Sequence, residues 1–597
     1  MKARCSQSGR LFGWLVAVAV LCFALPPQLA AQGTDPGPRP SGNGVTQGTC
    51  TFIEGNDGPF KFSTDGGVLP TVCDDVDQPA SNNPQPPAAG AGNIIANPGS
   101  LGGFWGAALT VFSTTATVVA PNPPSTIAGL GPSFNGLSCF SCHAQPAVGG
   151  ASPGIVNYPN GKVGQTTLGP NQFFMGVQQN PEYIAASADG ATNMLPCFIV
   201  APTGTTNGCG ASLGDFPTEN FSNGPVVEVR FPSGYNPPAG SNIDPVMPGF
   251  VANLYTFTGR SDENAPGCSI GQEPISAQIE ANNGIFRTPT PTFGLGFVEN
   301  TPDFVLVQNS NLNASAKNGL GIHTGAGVFN RSGNDGTITR FGWKAQNKSL
   351  MMFAGEASNV EMGVTNELFP NERTTGLGPD CTPNEQPEDE VLGTNPTATA
   401  PSIISSVLEN NAVFMRLNAA ASQCDYTSTT DGNGNPVCNA FTVNGNAEQG
   451  QCFFGSSSEI SSSLCTTVTG GLPPYGIGCV LCHSDRLTTA NSSQPGLQNF
   501  TYAPYSDFAI HTMGKDTDGV QQGSALPNQF RTAPLWGAGQ RLFFMHSGAY
   551  TNLDHAIRAH CPAGDTTSTN ESCQVIQKYI LLSPANETLI LDFLRSL

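Results

Sequence analysis

Two short stretches of this 597-residue chain carry residues whose order is chemically loaded. "GLSCFSCHAQP" holds Cys139, Cys142 and His143, and "GIGCVLCHSDR" repeats the arrangement with Cys479, Cys482 and His483. Each sets two thiols three residues apart, on one face of a helical turn, with an imidazole directly after the second. One such cluster leaves a disulfide or half a zinc site open. Two clusters, in a chain with only 7 histidines, ask for one explanation.

The segments around them narrow the choice. Lys2, Arg4 and Arg10 precede the apolar run "LFGWLVAVAVLCFALPP", and small residues follow in "QLAAQG". This pattern predicts a secretory signal peptide over 1–31, cleaved after Ala31, and so a periplasmic or secreted bacterial protein. No later stretch is apolar for long enough to span a bilayer, so no membrane span is expected in the mature chain. In an exported chain, paired thiols with an adjacent His are the c-type haem attachment pattern: the thiols add to the haem vinyl groups and His ligates the iron. Two covalently bound haem c groups are therefore expected.

Twelve cysteines remain outside the leader and the two motifs, and an even number in an exported chain suggests disulfides. Neighbours enclose short loops at 50/73, 197/209, 424/438, 452/465 and 561/573, which leaves 268/381. Charged residues make up 11%, with 71 Gly and 50 Pro, so loop-rich connections are expected over dense bundles. The net charge of −20 comes with no basic cluster. Nucleic acid is thereby a poor partner, and a small redox protein with a basic docking face a better one.

The chain also repeats itself. "FRTPTPTFGLG" from Phe286 resembles "FRTAPLWGAG" from Phe530, each downstream of its own CxxCH. Leu350 in "KSL" and Leu553 in "TNL" can be placed in register. In the second copy His560 follows seven residues after Leu553, on a helix-like "LDHAIRAH". The matching part of the first copy offers only Glu361 and Met362. Two haem domains of common ancestry with different residues at matching places are expected. At the end of the chain, "LSPANETLILDFLRSL" predicts an amphipathic helix capped by Ser583, with Pro584 in its first turn and Ile590, Phe593, Leu594 and Leu597 inward.

Taken together, "FRTAPLWGAG…FFMHSG…LDHAIRAH", "YSDFAIHTMG" and "RFGWKAQ…EMG" resemble the bacterial di-haem oxidoreductase family. That family is similar to the di-haem cytochrome c peroxidases and to the methylamine-utilisation di-haem enzyme. The resemblance covers roughly Ser133 to Leu597. It implies a mainly α fold with two cytochrome c-type haem domains and long, irregular, disulfide-tied loops. The division expected is a signal peptide at 1–31, an N-terminal extension at 32–98, a first haem domain with the reactive haem at 99–400, and a second with the electron-transfer haem at 401–597.

Carried over residue by residue, the resemblance makes His143 the proximal ligand of the reactive haem and His483 that of the electron-transfer haem. His560 falls where the family places the latter's distal ligand. The catalytic candidates are Trp343, matching a tryptophan between the haems, and Glu361, matching a distal acid that handles the peroxide proton. Phe353 stands where the peroxidases have a glutamine. His511, His546 and Met545 also match family motifs and are expected to hydrogen-bond or pack near the second haem, while His323 and His555 are expected in a loop and facing solvent. "KDTDGVQQG" at 515–523 reads as a turn, with a calcium ion, as in related peroxidases, as the other reading. The implied activity passes electrons from a donor protein to hydrogen peroxide or another small oxidant. The alternatives are an oxygen-using enzyme resembling the rubber oxygenases and a plain di-haem electron carrier.

Overall fold

The computed structural model describes, with gaps of one or two residues, residues 32–35, 62–63, 71–72, 101–117, 127–128, 131–143, 148–152, 227–256, 273–322, 328–371, 407–423, 445–456, 462–492 and 497–597. The leader, His323, most of 32–98 and eight of the twelve remaining cysteines lie outside them. What is described is rich in helix, and its strands pair only as two-stranded ladders.

The elements that position the motifs are few. In chain order they are α1 (Leu101–Ser113), α2 (Cys139–Cys142), β1 (Glu228–Arg230), β2 (Ile285–Arg287), α3 (Leu295–Glu299), α4 (Asp303–Gly319), α5 (Leu350–Met362) and α6 (Val407–Leu417). The second half follows with α7 (Asn446–Phe454), α8 (Ser462–Thr469), a 3₁₀ turn at Cys479–Leu481, β3 (Ile510–Thr512), β4 (Gln529–Arg531), a 3₁₀ turn at Ala538–Gln540, α9 (Leu553–Arg558), α10 (Cys573–Tyr579) and α11 (Pro584–Ser596).

Two apolar cores form. The first packs α1, α3, α5 and α6 around Phe112, Phe293, Phe297 and Phe414. The second packs α7, α9 and α11 around Phe453, Phe454, Leu591 and Phe593. Leu591 and Phe593 are wholly buried, and truncating such an aromatic costs about 3–5 kcal/mol. The cores exchange residues: Trp536 of the second half enters the first, and Ile322 of the first half enters the second. α6, which lies beyond the expected boundary at 400/401, packs on α1 and α5 in the first core.

The internal repeat reappears as geometry. β1 pairs antiparallel with β2 and β3 with β4, and each ladder ends on a Phe-Arg pair, Phe286-Arg287 and Phe530-Arg531. Leu350 and Leu553 each open a helix, α5 and α9, behind a side-chain cap: Ser349 accepts from the Met352 N–H, and Asn552 from the His555 N–H. The two G-x-G stretches also match. Gly294 and Gly537 have φ of 67° and 73°, the left-handed region that a side chain disfavours. A Cβ on Gly296 would run into the Arg416 carbonyl of α6, and one on Gly539 into the Arg595 carbonyl of α11. In both halves the closing helix therefore rests on bare backbone.

α11 forms as the sequence predicts, with Ser583 accepting from the Asn586 N–H and Pro584 as its first residue. Ile590, Phe593, Leu594 and Leu597 are all buried. Residues 32–35 lie on the same core: Asp35 pairs with Arg595 at 2.9 Å and accepts from the Leu553 N–H at 2.5 Å. Disulfides join Cys452 to Cys465 and Cys561 to Cys573, as the loop spacing suggests. Among the described residues, no helix is long and apolar enough to cross a membrane.

Candidate functional site

Each CxxCH folds as a tight turn closed by a backbone hydrogen bond from the His to the first Cys. In α2, Ser138 caps by accepting from the Ser141 N–H, and the His143 N–H donates to the Cys139 carbonyl. In the 3₁₀ turn the His483 N–H donates to the Cys479 carbonyl at 2.9 Å. No disulfide joins the cysteines of either motif. The local folding of both motifs leaves four thiols in two pairs, each pair with its own imidazole.

The imidazoles are oriented by backbone. His143 Nδ1 lies 3.1 Å from the Gly150 carbonyl, and His483 Nδ1 lies 2.9 Å from the Tyr505 carbonyl. Tyr505 is held at φ 50°, a conformation costing about 1–3 kcal/mol in a non-glycine residue. A hydrogen bond at Nδ1 fixes the tautomer and leaves Nε2 with its lone pair, the arrangement a metal-ligating His adopts. Burial lowers the pKa of both His143 and His483 to about 4, so each is neutral and able to ligate at pH 7.

His560 lies in the turn just past α9 and not on the helix, because α9 ends at Arg558. Its Nδ1 is 2.9 Å from the Ala556 carbonyl. Its own carbonyl accepts from Asn570 at 2.7 Å and from the Ser572 hydroxyl, and the Cys561–Cys573 disulfide ties the next residue to α10. The ring faces His483 with centroids 6.5 Å apart and planes at 62°. Two metal–nitrogen bonds of about 2 Å plus two ring radii of roughly 1 Å span roughly 6 Å. The donor set and its spacing fit one iron held between two imidazoles.

A single cavity connects this pair to the first half. Cys479, Cys482, His483 and His560 line it together with Trp343, His546, Phe353 and Ala151. Trp343 donates its indole N–H to the Thr288 carbonyl at 2.8 Å and meets His546 edge-on, with centroids 6.4 Å apart. His546 stacks on Phe530 at 4.4 Å. Phe353 stacks on Phe341, so an apolar ring stands where a polar amide was the other possibility. Met545 lines the same cavity, and His555, on α9, is half-buried.

His511 has both ring nitrogens engaged, Nε2 at 2.9 Å from Asp507 and Nδ1 at 2.5 Å from Glu571. It is a hydrogen-bonding residue beside Cys482, as expected. In the 515–523 loop, the buried Asp518 carboxylate takes Arg287 at 2.5 Å and Lys344 at 3.0 Å. A calcium ion at this loop would have to displace both cations. The loop instead ties β2 and the residue after Trp343 to the second half.

Glu361, in α5, lies beside the first CxxCH. Its backbone carbonyl accepts from the Asn135 and Gly136 N–H groups, and its Oε2 accepts from Asn135 Nδ2 at 3.0 Å. A second carboxyl, Glu228 of β1, hydrogen-bonds to it. Burial opposes ionisation of Glu228, but Arg230 at 2.5 Å outweighs it and holds the pKa below the ordinary value. Burial first, and then the Glu361 charge, raises the Cys142 thiol to about 12. Glu228 and Arg230 escape sequence reading because no motif marks them and they lie far from Glu361 along the chain.

The described residues thus form a helix-rich chain in which both CxxCH motifs keep free thiols and His483 packs against His560. Residues 468–597 match the family model described as "Di-haem oxidoreductase, putative peroxidase", the family that the motifs resemble. The match contains the second CxxCH, the β3–β4 ladder, His560 and α11. No curated protein and no solved structure matches the chain.

Proposed function

We propose that this chain is a periplasmic or secreted di-haem c-type oxidoreductase of peroxidase type. The observation that carries the reading is the His483–His560 pair at 6.5 Å beside a CxxCH, while the corresponding helix of the first half, α5, contains no histidine. Cys479, Cys482, His483 and His560 would hold one haem, and Cys139, Cys142 and His143 the other. Bound haem supplies a one-electron iron couple and, where an axial position is open, a place for a small oxidant.

The chain's own residues then divide the work. His483 and His560 would both ligate the iron of that haem, which would suit it to electron transfer. Trp343 stands in the cavity wall between the halves and positions a path from one to the other. Glu361, hydrogen-bonded to Glu228, is the carboxyl placed to give and take a proton near Cys142, and Arg230 keeps Glu228 ionised. The net charge of −20 favours a small, basic redox protein as electron donor, and hydrogen peroxide is the first candidate oxidant.

A second reading is favoured by Phe353. Its ring cannot donate a hydrogen bond to a developing oxyanion, so peroxide turnover is expected to be slow, and an oxygen-using enzyme is the alternative chemistry. Carbon monoxide binding to the reduced protein tests both enzyme readings against a plain carrier. Binding at one haem of two is expected. No binding in any reduction state would leave the electron-carrier reading in place.

A further inference from the structure

The two Phe-Arg ladders end on the same residue but treat it differently. In the first half Arg287 is neutralised, with Nε and Nη2 on Asp518 Oδ2 at 3.0 and 2.5 Å and Nη1 on Gln522 at 2.6 Å. In the second half Arg531 is 5% exposed and spends its Nε on the Gly342 carbonyl at 2.8 Å, while its Nη1 is buried without a partner. Arg541 is alike: its Nη2 donates to the Pro534 and Trp536 carbonyls at 2.8 and 3.3 Å, and its buried Nε has no partner. Among the described residues neither guanidinium takes part in an ion pair. Both line the cavity that holds Cys479, Cys482, His483 and His560.

Guanidinium groups stay charged in proteins, and two buried like charges side by side are costly unless an anion joins them. Burial, and then the nearby Arg541 charge, already pulls the Arg531 pKa down to about 10. The geometry of a fork matches a carboxylate. We infer that Arg531 and Arg541 form an anion seat for the carboxylates of the porphyrin attached at Cys479 and Cys482. The inference rests on the haem reading above and deepens it. The Arg531 N–H also donates to the Trp343 carbonyl at 2.8 Å, so the seat and the tryptophan share one backbone joint.

The test uses the holoprotein and reads each haem's reduction potential by optical and paramagnetic-resonance titration. Removing a cation beside a haem stabilises its oxidised form. Arg531→Gln and Arg541→Gln should each lower the reduced-to-oxidised ratio of the second haem on the order of tenfold at fixed potential, about 59 mV for a one-electron couple. The first haem should move much less, and Arg531→Lys should recover most of the change. The thioether bonds keep the haem in place, so its mass and the far-ultraviolet dichroism check that each variant is folded. Retained haem with both potentials unmoved, or a shift confined to the first haem, would overturn the seat. An absent haem mass at Cys479 and Cys482 in the wild type would overturn the functional reading itself.

Discussion

Asp518→Asn should destabilise the protein well beyond an ordinary surface change, and the structure sets the size. The Asp518 side chain is wholly buried, and its two oxygens take Arg287 and Lys344 and accept from the Val520 N–H at 3.0 Å. Asparagine keeps the shape and removes the charge, which strands two buried cations. Breaking a buried pair in this way costs about 3–5 kcal/mol. Lys344 limits the loss: burial already lowers its pKa to about 8, and without Asp518 it sheds its proton more readily. The pH dependence has a definite sign. Burial works against the Asp518 charge, but Arg287 and Lys344 hold its pKa below the ordinary carboxylate value. Its contribution is therefore full above the unfolded pKa of about 3.9 and is lost as pH falls through the lower folded value. Urea unfolding of wild type and variant at neutral and acidic pH measures this. A difference under about 1 kcal/mol at pH 7, or one that widens on acidification, would refute the reasoning.

Two further substitutions test the site directly. His560→Ala should convert one low-spin haem to high spin, or recruit a replacement ligand; unchanged resonance spectra for both haems would move the ligand role to another cavity residue such as Met545. Glu361→Gln should lower peroxide turnover by about 10²–10⁴ while carbon monoxide still binds, since the change removes a proton donor and leaves the haem face alone. Turnover equal to wild type would remove Glu361 from the chemistry.

The parts of this molecule legible in the sequence are those whose chemistry demands a fixed local spacing. Each Cys-x-x-Cys-His is a local spacing, so both motifs stand out in the sequence, and Cys452–Cys465 and Cys561–Cys573 close short loops. Ser583 and Pro584 marked the start of α11 because capping is a matter of adjacent residues. The spacing from Leu553 singles out His560, which the structure places beside His483 in a turn past α9 and not on the helix the sequence predicts. Partners set by tertiary approach were invisible. Glu228 hydrogen-bonds to Glu361 from far along the chain, and Asp518 meets Arg287 across the two halves. The anchoring of Asp35 on Arg595 belongs to the same class. The division expected at 400/401 came with no local signal, and α6, just past it, packs on α1 and α5.

The paired joints at Gly296 and Gly539 bear on how such a chain can drift. Each closing helix touches its G-x-G turn through a main-chain carbonyl, at Arg416 and Arg595, so the contact does not depend on which side chains the helix carries. Selection can rewrite α6 and α11 almost freely, provided each keeps an apolar face, while any side chain on those glycines would push the helix away. The likeness of the two halves is thus kept in the turns and lost in the helices they support. At this joint the two halves agree most closely in a pair of residues that have no side chain at all.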